Sequence, residues 1–198
     1  MTSPALSFAA KPTLVGKRVL LRPVTAADAP GLVELLNEPE VRRLTGTHGQ
    51  VRPGALERAE QWYSSRAAED DRLDLAVVEQ ATGEYVGEVA LNELHADNRS
   101  CSFRIALVGP RAFGRGYGIE ATRLILAHAF ETVGVHRVEL EVFAFNPRAR
   151  HVYEKVGFVH EGTKRQALHW QGAWDDTQIL AVLADDWARH RVFPQFSE

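Results

Sequence analysis

Three glycines at alternate positions, Gly114, Gly116 and Gly118, stand in the stretch PRAFGRGYGIEATRLILAHAF, directly before an amphipathic pattern. A helix N-terminus leaves backbone N–H groups unpaired, and glycine removes the β-carbons that would hold a ligand away from them. The aligned peptide dipoles favour negative charge at the same end. Such a loop can cradle phosphate oxygens, and Arg111 and Arg115 are spaced to add charge-assisted hydrogen bonds. The same glycines also suit a plain turn before a core helix, so their neighbours must decide.

A second constellation lies in NPRARHVYEKVGF. Asn146 is placed to cap a helix that carries Arg148, Arg150, Tyr153 and Lys155. Tyr153 is either a core aromatic or a proton donor, and the basic residues are either a solvated face or an anion contact, Arg150 ahead of Arg148. Glu88 lies in YVGEVALNELH, where alternation puts it on one face with Val86, Ala90 and Asn92. A carboxylate in such a row is either solvated at an edge or positioned to take a proton. Glu141 and His95 are lesser candidates for that role. Cys101 and Ser102 fall in no nucleophile motif, and the eight scattered histidines include no H-E-x-x-H, so no catalytic metal is expected.

The elements that must position these residues read as an α+β order. KRVLLRPVT is a strand, with Thr25 capping a helix over AADAPGLVELLNE, and Pro53 opens a further helix towards Asp70. LDLAVVEQ, YVGEVALNELH and SCSFRIALVG form three antiparallel strands. After the glycines and their helix, HRVELEVFA alternates as a strand, NPRARHVYEKV is a helix, and GFVHEGTKRQALHW with AWDDTQILAVLADDW closes the chain as a hairpin. Trp170 and Trp174 flank its turn and are either pocket walls or core and dimer cover.

With 198 residues, 45% apolar and 25% charged, the chain suits one soluble domain of 1–198, with 1–15 as a loose N-terminal extension. No apolar run approaches a membrane span and no secretory pattern opens the chain, so a cytoplasmic protein with no membrane partner is expected. Cys101 is the only cysteine, which excludes an internal disulfide. A net charge of −3 speaks against nucleic acid, although residues 111–155 carry seven Lys/Arg against five Asp/Glu, locally favouring an anionic ligand.

GYGIEA satisfies G-x-G-x-x-A, with Glu139 and Glu141 about 20 residues on, as an NAD(P) site would want. That fold needs its first glycine directly after a parallel strand, whereas GPRAF intervenes here. The span from FRIALV through GRGYGIEA to NPRARHVYEKVGF instead resembles the GNAT superfamily of acyl-CoA N-acyltransferases. Its pyrophosphate loop reads Q/R-x-x-G-x-G/A; Gly116 and Gly118 match, while Phe113 replaces the first Gln or Arg. The opening VGKRVLLRPVTAADAPGLVELLNEPEV, the strand YVGEVAL and the closing GAWDDTQILAVLADDW look like the RimJ/RimL-type branch.

The resemblance implies a mixed, mostly antiparallel sheet flanked by helices, and an acetyl-CoA-dependent transfer to a primary amine. The acceptor is then a small molecule or a peptide N-terminus, and CoA the product. Cofactor contacts fall on Leu107, Val108, Arg111, Phe113, Gly114, Arg115, Gly116, Tyr117, Gly118, Asn146 and Arg150, with backbone N–H groups near Leu107 and Val108 polarising the thioester carbonyl. Glu88 becomes the base and Tyr153 the donor to the departing thiolate, a step uphill by about 1.5 pKa units. A CoA-binding module without turnover stays open, as do monomer and homodimer.

Overall fold

The computed structural model describes residues 6–49 and 51–191. An eight-stranded mixed sheet runs in the order β1-β2-β3-β4-β5-β6-β8-β7. Its strands are β1 (Leu14–Val15), β2 (Val19–Pro23), β3 (Leu73–Glu79), β4 (Tyr85–His95), β5 (Ser100–Leu107), β6 (Arg137–Phe143), β7 (Val159–Trp170) and β8 (Ala173–Leu183). Every pairing is antiparallel except β5 with β6, which is parallel and spans only Ser100↔Arg137 to Ser102↔Glu139. No pairing joins these two strands beyond Ser102, so the sheet opens there. An antiparallel β4–β5 pair ahead of the glycines also removes the dinucleotide-fold reading, which needs a repeated parallel βαβ series.

The helices are α1 (Ala29–Asn37), α2 (Pro39–Thr45), α3 (Ala55–Arg66), α4 (Tyr117–Ala127), α5 (Pro147–Lys155) and α6 (Ala184–His190). Wider π turns over His128–Val133 prolong α4. The main core gathers Leu21, Leu75, Val77, Val89 and Leu91 from the sheet with Ala121, Ile125 and Leu126 of α4. A smaller core sets Ala29 and Leu32 of α1 and Ala59 and Tyr63 of α3 with Ala76 and Val78 of β3.

Three local departures from the sequence reading have physical causes. The helix expected over 26–38 is a 3-10 turn at Ala26–Asp28 followed by α1, and α2 begins separately at Pro39. Glu38 takes ψ 118, the extended state that a following proline favours. The last strand stops at Leu183, where the Asp186 carboxylate accepts the Leu183 N–H at 3.3 Å and starts α6. Of the expected N-terminal extension, residues 1–5 lie outside the described residues. Phe8, by contrast, is fully buried and donates its N–H to the Asp70 carbonyl at 2.7 Å.

Candidate active site

The opening between β5 and β6 leads into a cleft of about 570 Å³. Phe103 to Leu107 of β5 form one wall and Glu141 to Phe143 of β6 the other, with further residues from β4, the glycine loop, α1, α2, α4 and α5. Glu88, Phe113, Gly114, Gly116, Tyr117, Gly118, Asn146, Arg148 and Tyr153 all line it, so residues from both sequence constellations share one cavity.

At the phosphate-cradle end, Gly114 and Gly116 take φ +73 and +82, left-handed conformations that β-carbons disfavour. Gly116 caps α4 without any side-chain hydrogen bond. Glu120 donates its N–H to the Gly116 carbonyl at 3.2 Å, so the helical ladder leaves the preceding N–H groups of the first turn unclaimed. Tyr117 is buried, and its hydroxyl donates to Glu79, which also takes Arg115 at 3.0 Å. The Tyr117 and Thr82 hydroxyl bonds, ahead of the nearby arginines, hold the Glu79 carboxyl below its usual range. The loop is thus tied to β3 through one carboxylate.

The arginines expected at the cradle are committed elsewhere. Arg111 forks onto Glu34 of α1 at 2.8 and 3.0 Å, and Arg115 faces Glu79; neither lines the cleft. Arg150 reaches Glu154 at 2.7 Å and Gln178 at 3.1 Å, also away from it. Arg148, ranked behind Arg150 by sequence, lies with its guanidinium 3.9 Å from the centroid of the Phe113 ring, at the cleft. Two arginines line this cavity: Arg104 has Asp74 at 3.4 Å and Glu88 at 3.7 Å, while Arg148 makes no ion pair among the described residues. Asn146 does cap α5, its Oδ1 accepting the Ala149 N–H at 3.1 Å.

On β5 the two expected N–H donors separate. Val108 donates to the Val86 carbonyl at 3.0 Å and is therefore not free to polarise a carbonyl. Gly87 and Leu107 stand opposite each other in the next position of the ladder, where alternation turns the Leu107 N–H away from β4, towards the gap left by β6. A β-carbon on Gly87 would collide with the Ala106 carbonyl oxygen, so glycine allows this close approach.

Glu88 faces Ala76 on β3 and Ala106 on β5. It keeps step with Ala90 and Asn92, but not with Val86: the β3–β4 register slips by one residue at Val77/Val78, and Val86 joins the main core with Val89 and Leu91. The Glu88 Oε2 accepts the Tyr63 hydroxyl at 2.7 Å, and the Tyr85 hydroxyl lies 3.0 Å from that of Tyr63. Tyr63 comes from α3, a segment whose pattern carries no catalytic signal.

Tyr153 is buried, edge-on to Phe103 and Phe158 with centroids 6.0 and 5.8 Å away, and burial pushes its hydroxyl well above the ordinary tyrosine value. Among the described residues the hydroxyl has no hydrogen-bond partner. Glu141 lines the cleft but is paired with Lys164. His95 is exposed at the end of β4. Trp170 stacks near His48 at 5.3 Å and Trp174 near His169 at 4.7 Å, and neither lines the cavity. Cys101 is buried in the core, its thiol pushed up to about 12 by desolvation, which leaves it no nucleophilic use at neutral pH.

The profile of the acetyltransferase (GNAT) domain family matches residues 18–159. Among curated proteins, the chain is 26% identical over 178 residues to "Probable N-acetyltransferase YjcK" of Bacillus subtilis, covering 87% of this chain and 98% of that one. It is 32% identical over 107 residues to a spermidine N(1)-acetyltransferase of Vibrio cholerae, covering 54% and 61%. Among solved structures, spermidine N-acetyltransferase from Vibrio cholerae in complex with CoA and spermine superposes with TM-score 0.78 at 22% identity, over 87% of this chain and 99% of that one.

Proposed function

The chain belongs to the GNAT acetyltransferase family, and on that premise we propose that it moves an acetyl group from acetyl-CoA to the primary amine of a small molecule, directly and without a covalent enzyme intermediate. It is an N-acetyltransferase; the donor, the acceptor and the residue roles are our reading. The observation that carries the reading is one cavity, entered where β5 leaves β6, that joins an unclaimed helix N-terminus to Glu88 and Tyr153.

The cradle suits a CoA pyrophosphate. Gly114 and Gly116 present backbone without β-carbons, the helical ladder of α4 makes no use of its first N–H groups, and Arg148 brings a positive charge with no ion pair among the described residues. Acetyl-CoA supplies an acetyl group already activated as a thioester. The Leu107 N–H faces the gap where a negative charge would grow on the acetyl oxygen, and a fixed main-chain dipole stabilises such charge without reorganising. Glu88 accepts the proton that the attacking amine must lose. Tyr153 donates a hydrogen bond to the departing sulfur. Its raised pKa makes complete proton transfer to a thiolate of about 8.5 more than about 1.5 units uphill, so hydrogen-bond donation is the role its burial favours.

Leu44, Phe143, Glu88 and Glu141 line the cleft together, a mixture that fits an amine beside an apolar group. Similarity to a spermidine acetyltransferase supports a small-molecule acceptor, while the RimJ/RimL-like sequence blocks keep a peptide N-terminus as the second reading. Release of CoA thiol from acetyl-CoA with spermidine, phenethylamine and an alanyl tripeptide, each product weighed by mass spectrometry, separates them. Acetylation of an added amine is expected; acetylation of the peptide alone would replace the small-molecule reading, and no release with any amine would sink acetyl transfer as the function of this cleft.

A further inference from the structure

We infer that Tyr63 of α3 is the positioning residue of the proton acceptor: its hydroxyl, backed by that of Tyr85, fixes the Glu88 carboxylate towards the cleft as the amine arrives. The inference rests on the acetyl-transfer reading of this cleft and goes beyond it, since that reading gives Tyr63 no role.

The geometry has three parts. Tyr63 is 1% exposed and sits in the small core between α1, α3 and β3, so its ring is held by packing and its hydroxyl has a set position. That hydroxyl donates to Glu88 Oε2 at 2.7 Å, and because its one proton is used there, the 3.0 Å contact with Tyr85 has Tyr85 as donor. Two phenols therefore line up as Tyr85 to Tyr63 to carboxylate, each bond strengthening the next. Among the described residues the other carboxylate oxygen, Oε1, has only Arg104 at 3.7 Å, beyond hydrogen-bond range, and it is left for a proton from substrate.

The charged and titratable groups facing Glu88 come from each neighbouring element. Tyr63 stands on α3, Tyr85 on β4 itself and Arg104 on β5, with Asp74 of β3 sharing Arg104 and held by Arg72 at 2.6 Å. Behind Tyr85 lies the Arg22–Asp28 pair. Desolvation and the adjacent carboxylate drive both tyrosine hydroxyls far above their ordinary value. They stay protonated, and hence remain donors, throughout the working range.

A carboxylate held by a fixed donor keeps one orientation, so removing the donor lets it turn away from the reacting amine. In Tyr63→Phe, kcat should fall about tenfold, the size of one lost hydrogen bond to a charged group. The dissociation constant for acetyl-CoA should not change. Tyr85→Phe should show a smaller fall in kcat. In a Glu88→Gln background, Tyr63→Phe should have no further effect on kcat, because the two act as one unit.

The experiment measures kcat, KM and the acetyl-CoA dissociation constant of the wild type, both single tyrosine variants, Glu88→Gln and the Tyr63→Phe/Glu88→Gln double variant, using the acceptor of the spermidine, phenethylamine and alanyl tripeptide set that the wild type acetylates. An unchanged kcat in Tyr63→Phe, or effects that add in the double variant, would overturn the inference while leaving acetyl transfer intact. A wild type that acetylates none of them overturns both together.

Discussion

The guanidinium of Arg148 lies over the ring of Phe113, 3.9 Å from its centroid, so the aromatic that replaces Gln or Arg in the loop pattern acts as a platform for a cation from α5. A flat, delocalised cation packs well on an aromatic face and still offers its N–H groups along the edge. A cation from a neighbouring helix thus lies against the first position of the loop.

Arg148→Gln should weaken acetyl-CoA binding about tenfold, and the loss should shrink as salt is raised, since ionic strength screens the contact that is removed. Arg150→Gln should leave binding unchanged, because Arg150 serves Glu154 and Gln178. Calorimetric titration at two salt concentrations checks both; equal losses in the two variants would refute the platform.

Glu88→Gln keeps the shape of the side chain and the acceptor for Tyr63 but removes the base. We expect kcat/KM to fall about 10²-fold near neutral pH, with acetyl-CoA affinity unchanged. Stopped assays at high pH, where more of the amine is already neutral, should show a smaller deficit.

Tyr153→Phe should lower kcat by roughly tenfold, the size of one hydrogen bond to developing charge, and move the acetyl-CoA dissociation constant less than twofold. Single-turnover and binding measurements separate the two quantities. Unchanged turnover would reduce Tyr153 to a wall of the cleft.

Alanine substitutions within the loop should diverge. Gly116 has φ +82, so Gly116→Ala should cost about 1 kcal/mol of stability. Gly118 has no such angle, and its nearest atom to an added β-carbon is Leu107 Cδ1 at 3.7 Å, an ordinary contact. Gly118→Ala should leave stability equal or slightly higher, because alanine suits a helix better than glycine. Urea unfolding of the two variants gives the comparison.

Asp28 supplies an acid-dependent contribution to stability. Burial alone would raise its pKa, but the fork from Arg22, at 2.7 Å to each oxygen, and the Thr25 N–H at 2.9 Å outweigh this and lower it. A lowered folded pKa means the contribution is complete above the unfolded value of about 3.9 and fades as pH falls through the folded one. Asp28→Asn should cost about 2 kcal/mol at pH 7 and flatten the loss of stability below about pH 4. Unfolding curves across that range measure both effects.

What could be read from sequence was local. Gly116, Asn146, Tyr153 and Glu88 stand in short runs whose spacing follows from a loop, a cap, a helix and a strand, and all four line the cleft. Long-range partnerships were not legible in that way. Arg111 meets Glu34 across 77 positions, and Arg150 meets Gln178 across 28, so neither commitment leaves a trace in nearby residues. Tyr63 is hidden for the same reason: an amphipathic helix announces its buried face, not which carboxylate lies beneath it. The order of the last strands was equally silent, because the β7–β8 hairpin is evident while the insertion of β8 beside β6 is a choice of the whole sheet.

Binding of acetyl-CoA in the cleft between β5 and β6 is measured by calorimetric titration of acetyl-CoA and, separately, NADP+ into the wild-type protein. One site per chain for acetyl-CoA, with a dissociation constant of micromolar order as is common for enzyme substrates, and no heat with NADP+ are expected. Absence of acetyl-CoA binding, or saturable binding of NADP+ in its place, would contradict this reading of the cleft.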